Sequence, residues 1–361
     1  MTATATSTPV EFYPLTVASV DSLTDDAVAV TFDVPDDLAG RFRYLPGQHV
    51  TVKTEIDGHD VRRSYSVCAN ANRGDLRVGV KRLEGGLFST WATSQLQEGA
   101  VLEVMPPVGE FTIAPDPAAA RHYAAIVAGS GITPVLSLVS TTLESEPHSR
   151  WTVVFGNRSA NSIMFLDEIE GLKDTYPDRL HLIHVLSRET PDLDLYAGRI
   201  DADKLEQLFS TVVDAGSVDE WFLCGPYEMV TTARKVIEAR GVTSDYVHDE
   251  LFFAGPLDPA QISKPEEIQG SVSLQVTLGG RATETRMDPD MAILDAGSRV
   301  RTELPFSCKG GMCATCKARL MAGEVRMDKN YALTDAELEA GYILTCQSHP
   351  TTDRVAVDYD V

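Results

Sequence analysis

The chain has no long apolar run, little positive charge, few histidines and few cysteines, and each shortage excludes something. None of its 361 residues lies in a hydrophobic stretch approaching membrane-spanning length, so no membrane partner is expected. Residues 1–9 are rich in Thr, Ala and Ser, carry no charged side chain and lack a hydrophobic core segment. They read as a disordered lead-in and not as a secretory signal. With 31 Lys and Arg against 53 Asp and Glu, the formal charge of −22 argues against nucleic acid as a partner. Residues 271–361 hold 10 basic and 13 acidic residues, so the surplus acidity lies in 1–270 and reads as a solvated surface. None of the 8 histidines stands three residues after a glutamate. The Glu-x-x-His element of a carboxylate di-iron centre is therefore missing.

Only 6 cysteines are present, but four of them are arranged. Cys308, Cys313 and Cys316 follow one another after gaps of four and two residues, and Cys346 comes 29 residues later. This is the plant-type [2Fe–2S] spacing, in which three thiolates converge from one tight loop and a fourth arrives from elsewhere. Gly310, Gly311, Ala314 and Thr315 keep that loop small, so that backbone N–H groups can face inorganic sulfide. Structural zinc would ask for a second paired ligand set or histidines, and neither accompanies the loop. Cysteines committed in this way point to a reducing, cytoplasmic setting. Cys68 and Cys224 are left over.

Along the chain, 17–20, 27–34, 49–53, 64–68, 76–80 and 101–105 read as short strands, with one helix at 88–96. That pattern predicts an antiparallel β-barrel over 10–115. Over 116–254 strands alternate with helices: strands at 122–128, 151–155, 180–186, 220–224 and 247–252, and helices from Pro134, at 162–176, 202–209 and 227–240. This predicts an α/β doubly wound parallel sheet with ligands at the carboxyl ends of its strands. Residues 255–270 contain three prolines and no periodicity, and read as a linker. The remainder, 271–361, opens on a hairpin around Gly279 and Gly280.

Two stretches of the barrel carry a flavin pattern. Arg63-Ser64-Tyr65-Ser66 lies on a strand, and Val80-Lys81 leads through Gly86-Leu87-Phe88-Ser89 into a helix. Glycine at a helix N-terminus lets N–H groups approach a phosphate, Arg63 adds a charge-assisted contact, and Tyr65 offers a face to a flat ring. In the sheet region, Gly129 and Gly131 precede Ile132, Thr133 and Pro134, with Thr133 placed to cap the helix and Pro134 to enter its first turn. Cys224-Gly225-Pro226 supplies a second small loop at the same sheet edge, which favours a ligand crevice. Ser187 and Arg188, with Arg158 at a neighbouring strand end, suit the 2′-phosphate of NADPH, or else are solvated groups near strand ends. Phe252 stands where an aromatic ring would cover a flavin or else join the core.

Taken together, these motifs resemble the ferredoxin–NADP reductase family fused to a C-terminal plant-type ferredoxin of α+β β-grasp fold. The resemblance covers everything from residue 13 to 361. It implies FAD, NADPH and a [2Fe–2S] cluster, with Arg63, Tyr65, Ser66, Gly86 and Ser89 on the flavin. Gly129, Gly131, Thr133, Cys224 and Pro226 would shape the nicotinamide site. The phosphate loop serves FAD and FMN alike; the family resemblance implies FAD. Among subfamilies, stretches 80–89, 155–159, 196–201, 306–317 and 339–347 are similar to the reductase component of phenylacetyl-CoA epoxidase. The reductase of steroid 9α-hydroxylase carries cysteine where Ser64 stands. The implied electron path runs from NADPH through FAD and the cluster to the di-iron oxygenase component of a multicomponent monooxygenase on another chain. A Rieske-type oxygenase as acceptor, or a non-catalytic redox-sensing module, are the alternatives.

Overall fold

In the computed structural model, residues 11–252 and 270–361 are described. Alternating apolar and polar residues produce six strands in the first region: β1 (Tyr13–Thr24), β2 (Ala27–Asp33), β3 (His49–Ile56), β4 (His59–Ser66), β5 (Leu76–Lys81) and β6 (Val101–Val104). They form one antiparallel sheet in the order β4-β3-β6-β1-β2-β5. Leu15, Val17, Val30, Val50, Val52, Val78 and Leu102 fill its interior. The two end strands meet through a single bridge, Val67 to Val78, which rolls the sheet into a barrel. Asp57 and Gly58, both at positive φ, make the tight β3–β4 turn. Helix α1 (Leu87–Ser94) follows β5.

The second region is built of β7 (His122–Ala128), α2 (Ile132–Ser145), β8 (Arg150–Asn157), α3 (Leu166–Thr175), β9 (Leu180–Leu186), α4 (Ala202–Thr211), β10 (Glu220–Gly225), α5 (Tyr227–Glu238) and β11 (Val247–Leu251). All five strands are parallel, in the order β11-β10-β7-β8-β9. The central strands are near-continuous apolar runs because both faces are covered. Side chains of α2 and α3 pack on one face, and those of α4 and α5 on the other. The chain steps outward from β7 to β9 and then returns to the far side of β7, so the order reverses between β7 and β10. In sheets of this kind such a reversal is where ligands bind, outside the carboxyl ends of the strands.

One local expectation fails. Thr133 does not cap α2. The helix starts at Ile132 with Gly131 as its uncapped flanking residue, and the Thr133 hydroxyl donates back to the Ser130 carbonyl at 3.0 Å. A short 3₁₀ turn, Gly129–Gly131, runs straight into the helix, which moves the start two residues earlier than a capping threonine would allow.

Barrel and sheet pack into one compact unit, Tyr13–Phe252. The Ser137 hydroxyl donates to the Ala69 carbonyl at 2.7 Å, and Arg77 pairs with Glu168 at 2.8 Å. Gly79 lies flat against this seam: a Cβ there would meet Thr133 Cγ2 at 2.7 Å.

The third region contains β12 (Val272–Leu278), β13 (Arg281–Met287), α6 (Ile293–Ser298), β14 (Lys317–Ala322), β15 (Val325–Met327), α7 (Asp335–Glu339), β16 (Tyr342–Leu344), β17 (Ser348–Pro350) and β18 (Arg354–Asp358). The main sheet runs β13-β12-β18-β14-β16, with β12 and β18 parallel and the other pairs antiparallel; β15 and β17 form a separate ribbon. Helix α6 places Ile293 and Leu294 against the core of this sheet. The expected linker, 255–270, lies outside the described residues except for Gly270. Among the described residues no helix is long and apolar enough to cross a membrane.

Candidate flavin, nucleotide and iron–sulfur sites

Strand β4 and the start of α1 build the first site. Arg63 lies exposed on β4, one of its Nη groups donating to the Arg62 carbonyl at 2.7 Å. The Tyr65 ring packs at 5.4 Å from that of Phe88 on α1, which couples the strand to the helix. No side chain caps α1, and its first turn holds no acidic residue, which leaves the start of the helix suited to an anion. Ser89 shapes the loop before the helix: its hydroxyl accepts the Leu83 N–H at 3.0 Å and donates to the Gly86 carbonyl. A Cβ on Gly86 would lie 2.6 Å from that hydroxyl, so any other residue there would displace the Ser89 side chain from its bonds. Leu87 is exposed, Val80 is buried, Ser64 faces Thr51 across the β3–β4 pair, and Lys81 pairs with Asp26 at 3.3 Å. An anionic flavin fits this rim of donors and cations.

The second candidate site lies at the carboxyl ends of β7 and β10, where the strand order reverses. Gly131 approaches β10 so closely that a Cβ would stand 2.2 Å from the Cys224 carbonyl oxygen. Ile132, Thr133, Pro134, Cys224 and Gly225 are buried here, and Pro226 leads into α5. Burial pushes the Cys224 thiol well above its usual value, so it stays protonated and is no nucleophile. At the neighbouring strand ends, Ser187 and Arg188 continue beside Asn157 and Arg158, with N–H to carbonyl bonds of 2.9 and 2.7 Å. Arg158, Ser187 and Arg188 are all exposed on one edge, as a phosphate-reading group would be. Phe252 is half-buried against the core that α2 and α3 share with the sheet.

Between these sites stands a contact that no sequence motif announces. Glu250, on β11, accepts the Ser66 hydroxyl at 3.0 Å and lies 3.7 Å from His49 Nδ1 on β3. It thereby ties the barrel strands to the end of the parallel sheet. The only hint in the sequence is an acidic residue beside Leu251 and Phe252; its partners stand far back in the chain, on the barrel.

The cysteine loop of the third region bends through positive φ at Lys309, Gly311 and Ala314. Its thiols meet as two pairs. Cys313 hydrogen-bonds Cys308, and Cys316 hydrogen-bonds Cys346. Within the first pair, the bond from Cys313 and the backbone N–H groups of Gly310, Met312 and Cys313 hold the Cys308 thiol down to about 5. Cys346 is held low likewise, first by Cys316, with Gln347 Nε2 3.6 Å from its sulfur. Among the described residues no three metal-binding side chains gather around one point. A structural zinc needs four ligands on one ion, whereas a two-iron cluster held by four thiolates suits two pairs with N–H groups around them. The donor set fits the cluster.

The family comparisons agree with this anatomy. The oxidoreductase FAD-binding domain family matches residues 14–113, the oxidoreductase NAD-binding domain family 125–235, and the 2Fe-2S iron-sulfur cluster binding domain family 276–351. A flavin barrel, a nucleotide sheet and a cysteine-loop domain in this order define an NAD(P)H-dependent flavin and iron–sulfur oxidoreductase. The chain is 42% identical over 351 residues to a component of the 1,2-phenylacetyl-CoA epoxidase of Escherichia coli K12, covering 97% of this chain and 98% of that one. It is 31% identical to the ferredoxin reductase component of 3-ketosteroid-9-alpha-monooxygenase from Rhodococcus rhodochrous, covering 96% of each. The structure of phthalate dioxygenase reductase shares the fold, with a TM-score of 0.62 at 22% identity over 96% of this chain and 98% of that one. The chain belongs to the family of FAD- and [2Fe–2S]-dependent reductase components of multicomponent monooxygenases.

Proposed function

We propose that this chain takes electrons from NADPH and delivers them to a separate di-iron oxygenase that epoxidises phenylacetyl-CoA. The observation that carries the reading is the end-to-end likeness to the Escherichia coli epoxidase component, which extends through all three regions. The missing Glu-x-x-His element supports an oxygen-activating centre on another chain. The Rhodococcus relative supports a second reading, reduction of a steroid-hydroxylating oxygenase, over a nearly equal length but at lower identity. The cysteine content argues for a cytoplasmic setting.

Bound cofactors supply hydride acceptance at the flavin and single-electron carriage at the cluster. The chain supplies position and charge. Arg63, Gly86, Leu87 and Phe88 hold the flavin phosphates at the start of α1, and Tyr65 with Ser66 lines the ring. Gly129, Gly131, Thr133, Cys224, Gly225 and Pro226 shape the nicotinamide crevice, with Phe252 beside it. Arg158, Ser187 and Arg188 read the 2′-phosphate that distinguishes NADPH. Cys308, Cys313, Cys316 and Cys346 would hold the cluster.

The test is a coupled assay with purified reductase, NADPH, O2 and the oxygenase of a phenylacetyl-CoA epoxidase. Reductase-dependent loss of phenylacetyl-CoA, with epoxide formed, is the expected result. Rapid cytochrome c reduction without epoxide would move the partner to another oxygenase. No turnover with cytochrome c or ferricyanide would sink the electron-transfer reading.

A further inference from the structure

Thr345 lies between β16 and Cys346 and is 0% exposed. Its backbone N–H and its hydroxyl both reach the carbonyl oxygen of Cys316, at 3.2 and 2.9 Å. A carbonyl only accepts, so the Thr345 hydroxyl proton is directed there. The 2.7 Å contact between Thr345 Oγ1 and the Tyr359 hydroxyl therefore has tyrosine as its donor. A directed chain results: the Tyr359 hydroxyl to the Thr345 hydroxyl to the Cys316 carbonyl. Its bonds lie in the interior, where connected hydrogen bonds reinforce one another. Tyr359 follows directly after β18, its N–H bonded to the Thr277 carbonyl on β12 at 3.0 Å. Its ring belongs to the same buried cluster as Leu344 and Cys316. The brace is therefore anchored in the central strands of the sheet.

The two thiol pairs are held differently. Cys308 is served by backbone N–H groups of its own loop. Next to the β14–β16 pair the Cys316 carbonyl is tied instead to Thr345, the residue before Cys346, and the hydroxyls of Thr345 and Tyr359 fix that tie. Partners of metal ligands orient them and tune the metal.

We propose that Tyr359 is a positioning residue for the iron–sulfur cluster, acting through Thr345 on the Cys316 carbonyl to set the spacing of Cys316 and Cys346. The proposal rests on the reading of the four cysteines as cluster ligands. Tyr359 touches no ligand sulfur in this role; it fixes the peptide from which one ligand hangs and the residue preceding the other.

The experiment compares the full-length holoprotein with Tyr359→Phe, Thr345→Val, Thr345→Ser and the Tyr359→Phe/Thr345→Val double variant. Iron and acid-labile sulfide are counted first. The electron paramagnetic resonance g-values of the dithionite-reduced proteins and the rate of cluster bleaching in chelator are then measured. Tyr359→Phe keeps the ring and Thr345→Val the shape, so packing is preserved while the hydroxyls are lost. Both are expected to move the g-values and to bleach on the order of 10-fold faster, the scale of outer-shell losses at metal sites. Thr345→Ser should stay near the unmutated protein, and the double variant should be no worse than Thr345→Val, because the tyrosine acts through the threonine. A Tyr359→Phe protein with unchanged g-values and bleaching would overturn the proposal, as would full additivity in the double variant. An unmutated protein without two irons and two sulfides would instead overturn the cluster reading, so the two failures are told apart.

Discussion

The iron–sulfur region and the flavin–nucleotide unit solve the same problem, holding a redox group, in opposite ways. Three of the four cluster thiols come from nine consecutive residues, in a loop whose positive-φ positions curl it around its own sulfurs. The flavin–nucleotide unit gathers its groups from strand ends far apart in the chain, with Glu250 on β11 joining Ser66 and His49 on the barrel. A local loop commits everything to a few side chains, so one change should empty it. A dispersed site shares its work among backbone N–H groups and several side chains, so single changes should produce graded losses.

The strongest test of that contrast is Cys316→Ser. It should abolish reduction of cytochrome c by NADPH while ferricyanide, which takes electrons from the flavin, is still reduced. Cytochrome c reduction at the unmutated rate would show that electrons bypass the cluster. Next in size, Gly131→Val forces a side chain against the Cys224 carbonyl, 2.2 Å from the Cβ position. Overpacking of this kind costs about 1–3 kcal/mol, and a lowered urea midpoint for the 13–252 unit, with the iron–sulfur absorbance intact, would record it. An unchanged midpoint would mean that the Gly131–Cys224 contact yields more easily than its geometry indicates. The most narrowly confined effect should come from Arg188→Ala, which removes one of the two guanidinium groups at that edge. Hydrogen bonds to charged groups contribute roughly 1.5–3 kcal/mol, so KM for NADPH should rise about 10-fold or more while KM for NADH stays put. Equal weakening of both would remove Arg188 from phosphate recognition.

The same contrast explains what the sequence revealed. The cysteine spacing is a local signal and needs no tertiary knowledge, and the parallel sheet announces itself through apolar runs buried on both faces. Thr133 misled because a threonine before a proline is a common helix start, yet the Gly129–Gly131 turn supplies the start without its side chain. Glu250 and His49 were illegible as partners because only the folded barrel brings β3 and β4 to the end of β11. Tyr359 gave no signal either; a lone tyrosine after a C-terminal strand resembles any core aromatic until its hydroxyl is seen to meet Thr345. The short elements β15, α7, β16 and β17 are three to five residues each, too brief for a period to show.

Gly79 has a consequence for inheritance. Any other residue there would press a Cβ on Thr133, Met164 and Phe165, which belong to the opposite half of the unit. Barrel and sheet therefore cannot drift independently along that seam: a change on one side demands an answer on the other. The stretch from Tyr13 to Phe252 is thus one packed unit, in which a substitution on the barrel side of the seam calls for a matching change on the sheet side.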